Sequence, residues 1–171
     1  MRKIIFILIL AISLNSCSDN VESAFDIDLD TVFVIPAGLN SIDTHVFEIY
    51  NVPTFIQSRG SASTREAVTS VRANRASLTG RFANNNFRNI QRISIRAISS
   101  LDIENEKEIF WMDFVPLDHN GDLELFASLP EVNDILLEDN VHIQVRINFK
   151  SFVPADIETR LLLNFKAFIN E

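Results

Sequence analysis

Residues 141–149 alternate without a break. Val141, Ile143, Val145, Ile147 and Phe149 fall on one side, and His142, Gln144, Arg146 and Asn148 on the other. Side chains of a strand point alternately to its two faces, so as a strand this segment has one apolar face and one polar face. As a helix it would set Arg146 and Lys150 beside Ile143 and Ile147, burying charge without partners. The segment is therefore a half-buried strand, and the same period recurs along the chain. Phe25, Ile27 and Leu29 alternate with Asp26, Asp28 and Asp30, and 31–35 continues to a turn at Pro36-Ala37-Gly38. His45, Phe47 and Ile49 stand opposite Glu48 and Tyr50. Ile93, Ile95 and Ala97 stand opposite Arg92, Ser94 and Arg96. Phe110, Met112 and Phe114 alternate with Trp111, Asp113 and Val115, and Leu123 and Leu125 with Asp122 and Glu124. Leu161, Leu163, Phe165, Ala167 and Ile169 form the last apolar row.

Two stretches depart from this period. Ser63-Thr64-Arg65-Glu66 matches a capping box, which starts helices, and a strand carrying Arg72 and Asn74 outward follows near 70–79. Residues 131–137, after Pro130, predict one short helix with Val132, Ile135 and Leu136 inward. About eight strands and one short helix, each strand with one wet face, predict an all-β fold. The expected form is a two-sheet antiparallel sandwich of jelly-roll or immunoglobulin-like topology. A true immunoglobulin domain has no support, because the Cys-Trp-Cys core is absent. Thirteen of the fourteen Phe lie beyond the first sixteen residues and are expected to fill the core.

The 171 residues suit a single domain. A formal net charge of -8 repels phosphate, so nucleic acid is not an expected partner. The single Cys excludes an intramolecular disulfide.

That Cys stands at a telling place. Arg2 and Lys3 form a basic head, and an apolar run follows over 4–14, broken only by Ser13. Eleven helical residues span about 16 Å, too short for a hydrocarbon core of about 30 Å. The run suits the apolar region of a secretory signal. Leu14-Asn15-Ser16-Cys17 then resembles a bacterial lipobox, in which the Cys is lipidated and becomes the first mature residue. Ser18, Asp19, Asn20, Val21 and Glu22 resemble the short acidic export signal of surface lipoproteins of Bacteroidota; the bland reading of the same residues is a solvated tether. The chain thus resembles small lipoproteins of Bacteroidota with one β-sandwich behind the lipobox. The resemblance implies a signal peptide at 1–16, a lipidated Cys17 with a flexible tether to residue 24, and a sandwich domain over 25–171. It further implies an outer-membrane location with display at the cell surface. Several acyl chains on Cys17 would make a stable membrane anchor.

Charge is unevenly spread. Residues 57–100 hold eight Arg and one acid, and residues 101–139 hold twelve acids and one Lys. On neighbouring strands the two sets form a cross-strand charge ladder. The sharper reading makes Arg88, Arg92 and Arg96 an outward row for an anionic ligand, since guanidinium binds carboxylate or phosphate with two parallel bonds. Trp111 and Tyr50 stand opposite the apolar sets of their strands and are candidates for a sugar-stacking platform.

Signals for chemistry are sparse. Asp118, Asn120, Asp122 and Glu124 echo the start of a calcium loop, but Leu123 and Leu129 stand where the turn Gly and closing Glu belong. Asn120-Gly121 between two strands reads instead as a type I′ hairpin. His45, His119 and His142 lack paired-ligand spacing, so no metal or other cofactor is expected. Asp102, Glu104, Glu106 and Glu108 read as a solvated connection. The function expected is a non-enzymatic binding or structural module for a glycan or an envelope protein. The alternative is a small cell-envelope hydrolase.

Overall fold

The computed structural model describes residues 25–54, 67–81 and 87–169. The signal peptide, Cys17 and the tether through residue 24, and the capping-box match at 63–66 lie outside them. Eight strands are formed: β1 (Phe25–Ile35), β2 (His45–Pro53), β3 (Val68–Gly80), β4 (Ile90–Ser99), β5 (Glu106–Met112), β6 (Leu123–Ala127), β7 (Asn140–Phe149) and β8 (Ile157–Ile169). Among the described residues, a helical turn, α1 (Asn133–Leu136), precedes β7, and a 3-10 turn (Phe87–Asn89) precedes β4.

All pairings are antiparallel, in the order β1-β8-β3-β6-β5-β4-β7-β2. β1-β8-β3-β6 and β5-β4-β7-β2 are the two layers. Among the described residues, the only strand pairing between them is the short one of Phe110 and Trp111 with Ala127 and Phe126. Within this order β1 pairs with β8, β2 with β7, β3 with β6 and β4 with β5. The chain is thus one long hairpin of nested pairs wrapped over itself, which is the jelly-roll topology. Two faces bury the apolar rows. Leu29, Leu161, Leu163, Phe165 and Leu78 come from one layer, and Ile93, Ile95, Ile143, Val145 and Ile147 from the other. Each of these is at most 1% exposed.

Bulges account for most departures from simple alternation. Ile95 pairs with Phe110 but Arg96 with Glu108, so Ile109 is an extra residue in β5. Ile109 and Phe110 are consequently both buried. The strand ends at Met112, and the expected inward Phe114 is 64% exposed while Val115 is fully buried. Phe126 and Phe152 are exposed as well, so these three Phe are not core. Glu106 and Glu108 belong to β5 rather than to a solvated connection. The expected tight hairpin at Asn120-Gly121 does not form. Residues 113–122 make a ten-residue loop that carries the chain from β5 of one layer to β6, which pairs with β3 of the other. A type I′ turn needs positive φ at both central residues, and only Gly121 (φ +98°) has it.

Ion pairs tie the layers' outer faces. Arg160 of β8 holds Asp30 of β1 through both carboxylate oxygens, and that hydrogen-bonded guanidinium keeps the Asp30 carboxyl below its usual range. Arg72–Glu131, Arg75–Glu124, Arg92–Asp113 and Arg96–Glu106 join the Arg-rich and acidic halves of the sequence.

Candidate functional site

Register alone lays out the outer face of the β5-β4-β7-β2 layer. Trp111, Ser94, Arg146 and Val46 lie in one row across the four strands. Glu108, Arg96, Gln144 and Glu48 form the next row in one direction. In the other direction Arg92 stands beside Asn148, with Thr44 accepting from Asn148 Nδ2 at 2.8 Å. Because Arg146 is opposite Ser94, it is diagonal to both Arg92 and Arg96, a spacing of about 7–8 Å between backbones. Three guanidinium side chains therefore surround one serine.

Between them lies a recess of about 240 Å³ lined by Thr44, Arg92, Ser94, Arg96, Glu108, Arg146 and Asn148. Its partners differ in how firmly they are held. Arg96 Nη1 donates to Glu106 at 2.5 Å, and Ser94 Oγ donates to Glu108 at 2.5 Å. Arg92 meets Asp113 at 3.0 Å in an exposed pair, the kind that water and salt weaken most. Arg146 Nε donates to Gln144 at 2.5 Å, and its nearest carboxylate is Glu106 at 3.8 Å, already engaged by Arg96.

Aromatic groups flank this surface. Trp111 packs against Phe126 of β6 with ring centroids 5.4 Å apart, and Phe126 is 58% exposed. At the far edge a bulge places Tyr50 and Asn51 opposite His142 alone. Asn51 takes a left-handed φ of 55°, which turns Tyr50 over the His142 ring, stacked at 4.2 Å. His142 Nε2 contacts Glu48, whose other oxygen accepts from Gln144 at 2.7 Å. Hydrogen bonds and ion pairs thus run from Glu48 through Gln144, Arg146 and Glu106 to Arg96, while His142 Nε2 touches Glu48 without a hydrogen bond.

Arg92, Arg96, Trp111 and Tyr50 accordingly share one face. Arg88 does not join them: it stands exposed in the 3-10 turn, before the alternation of β4 begins. Sequence reading placed Arg146 outward on β7 but did not connect it with the other Arg side chains; only the β4–β7 register does so.

The opposite layer carries a wider recess of about 600 Å³, lined in part by Asp26, Asp28, Arg75, Asp122, Glu124 and Asn164. Arg75 bonds Glu124 at 2.8 Å and Asn164 donates to Asp28 at 2.7 Å. Asp122 and Glu124 line this recess, while Asp118 and Asn120 stay exposed in the loop. Among the described residues, no three His, Cys, Asp or Glu side chains are grouped to hold a metal ion. Cys17 and residues Ser18, Asp19, Asn20, Val21 and Glu22 lie outside the described residues. No described helix is long and apolar enough to cross a membrane.

No protein-family model matches the chain. No curated protein matches it either. Among solved structures, it is similar to a chain of the cyanophage Pam1 capsid asymmetric unit, at 8% identity and a TM-score of 0.39 over 88% of this chain and 90% of that one. It is similar to the decameric BFDV capsid protein at 12% identity and a TM-score of 0.31, over 84% and 97%. It also resembles part of dimeric latent PorU from Porphyromonas gingivalis, at 6% identity and a TM-score of 0.25, over 88% of this chain and 14% of that one.

Proposed function

We propose that this protein is a lipid-anchored outer-membrane module of the Bacteroidota type, displayed at the cell surface, which binds a glycan without chemical turnover. The observation that carries the binding reading is the outer face of β5-β4-β7-β2, where Arg92, Arg96 and Arg146 line one recess and half-buried Trp111, in register with Ser94, packs on exposed Phe126. A flat aromatic side chain beside fixed hydrogen-bond donors suits a sugar ring, whose faces are apolar and whose edge is polar. The lipid anchor is supported by the lipobox, whose Cys17 is the only Cys in the chain.

Binding is tested on the detergent-solubilised full-length protein with a panel of neutral and acidic polysaccharides in affinity electrophoresis. Trp111→Ala is expected to weaken retardation on the best ligand at least tenfold, a loss of about 1.4 kcal/mol, while leaving the unfolding midpoint within a few degrees. Unchanged retardation would remove Trp111 from the site. No retardation by any member of the panel would overturn the glycan reading and leave a protein partner in its place.

The anchor has its own test. Cys17→Ala should leave an unlipidated precursor that no longer floats with membranes in a density gradient. Asp19→Ala with Glu22→Ala should keep lipidation but lose surface display, so that protease added to whole cells digests only the parent protein. Normal membrane association of the Cys17 variant would refute the lipoprotein reading, and equal digestion of both proteins would reduce the acids to a tether.

A further inference from the structure

We propose that the recess between Arg92, Arg96 and Arg146 is a subsite for the anionic group of an acidic polysaccharide, a carboxylate or a sulfate ester, with the Trp111–Phe126 pair beneath the adjoining sugar. The inference rests on the glycan-binding reading and narrows it to one class of ligand.

Geometry comes first. The three Arg side chains come from two strands around Ser94, Thr44 and Asn148 add neutral hydrogen-bonding groups to the lining, and its one carboxylate, Glu108, accepts from Ser94 Oγ, so three guanidinium groups face one acid. Guanidinium suits this task because its planar fork matches the two oxygens of a carboxylate or sulfate. Availability comes second. Arg96 is committed to Glu106 at 2.5 Å and so stiffens the floor. Arg146 meets its carboxylate only at 3.8 Å, and Arg92 is held by Asp113 in a pair whose side chains are 56% and 62% exposed. An incoming anion therefore has two donors to engage, and displaces one weak surface pair.

Charge comes third. The protein as a whole is acidic, at -8, so polyanions are repelled at long range. Beyond a Debye length of about 8 Å at physiological salt that repulsion is screened, and recognition is left to the local donors. Non-specific adsorption, which dominates for basic proteins, is disfavoured here. The recess is also the right scale. About 240 Å³ admits one charged group and part of its ring, and the rest of the sugar must lie on the surface outside, where Trp111 stands.

The test uses matched polymers that differ in charge alone: polygalacturonate against its methyl ester, and dextran sulfate against dextran. Affinities are measured with the detergent-solubilised full-length protein in buffer of physiological ionic strength. At least one charged polymer is expected to bind tenfold or more tightly than its uncharged partner. Arg146→Gln and Arg92→Gln should each remove most of that preference, and Arg146→Lys should restore part of it. Arg88→Gln, which removes an equal charge outside the recess, should leave it intact. Circular dichroism on each variant separates lost binding from lost folding, and Arg92→Gln, at an exposed position, provides the variant that folds. Equal binding of the charged and uncharged members of both pairs would overturn the subsite while leaving the glycan reading in place. Loss of preference on Arg88→Gln equal to that on Arg146→Gln would overturn it too, by showing adsorption to charge in general. Failure of all four polymers to bind would overturn the subsite and the glycan reading together.

Discussion

Phe110→Ala should lower the unfolding free energy by about 3–5 kcal/mol, and Phe165→Ala by a similar amount. Both rings are fully buried, and they meet at a centroid distance of 5.6 Å and an angle of 59°. Phe110 belongs to β5 of one layer and Phe165 to β8 of the other, so the contact crosses the sandwich. Truncating either ring leaves a cavity between sheets that the two hydrogen-bonded frames cannot close. Against a total of about 5–15 kcal/mol, the loss is large. Urea denaturation reads it as a lower midpoint with an unchanged slope. A double-mutant cycle should give a coupling of about 0.5–1.5 kcal/mol, the range for tilted aromatic pairs. Phe152→Ala is the control: at 61% exposed it should cost within about 0.5 kcal/mol. Comparable losses at Phe152 and Phe110 would contradict the division of Phe residues between core and surface.

Faces were legible in the sequence because alternation is a local property. The apolar rows of β1, β4, β7 and β8 are buried where the period places them, except at the ends, where Phe25 is half-buried and Ile169 exposed. Partners were not legible. β1 meets β8 with Phe25 opposite Ala167, and nothing in either segment encodes that distance. The alternation also misleads wherever a bulge adds a residue, because one insertion reverses every later side chain. Ile109 illustrates this: it is buried beside Phe110, where the period places an outward side chain. Phe114 departs because β5 ends at Met112, and it lies outside with Lys150 Nζ 4.7 Å from its ring centre. The Asn120-Gly121 signal failed for a different reason: a turn dipeptide describes a local bend, whereas here the chain must change layers.

The same division holds for the candidate site. Arg92, Arg96, Trp111 and Tyr50 could be placed outward one strand at a time. That they share a face with Arg146 follows from the pairing of Ser94 with both Trp111 and Arg146, which is a long-range fact. Arg88 kept the four-residue spacing of the other two but not the backbone that gives spacing its meaning. The stacking of Tyr50 on His142 depends on the bulge at Asn51, an irregularity no periodic pattern announces.

Ile147→Ala and Ile143→Ala should each cost about 2–5 kcal/mol. Both side chains are fully buried in the central strand β7, with Ile147 between Ile93 of β4 and His45 of β2, and Ile143 between Ala97 and Ile49. A strand with neighbours on both sides has little room to shift, so the space left by the lost methyl groups stays open. The polar positions of β7 are half-buried rather than exposed, because outward neighbours on β4 and β2 crowd them. They should therefore form a graded series. Gln144 donates to Glu48 and accepts from Arg146, so Gln144→Ala should cost about 0.5–1.5 kcal/mol. Asn148 bonds only Thr44 at an exposed end, so Asn148→Ala should stay within about 0.5 kcal/mol. Chemical denaturation of the four variants gives the order Ile147 and Ile143, then Gln144, then Asn148. A larger loss at either polar position than at either Ile would mean that the strand faces the other way. In that register Arg146 would point into the core and away from Ser94, and the recess would lose its third guanidinium.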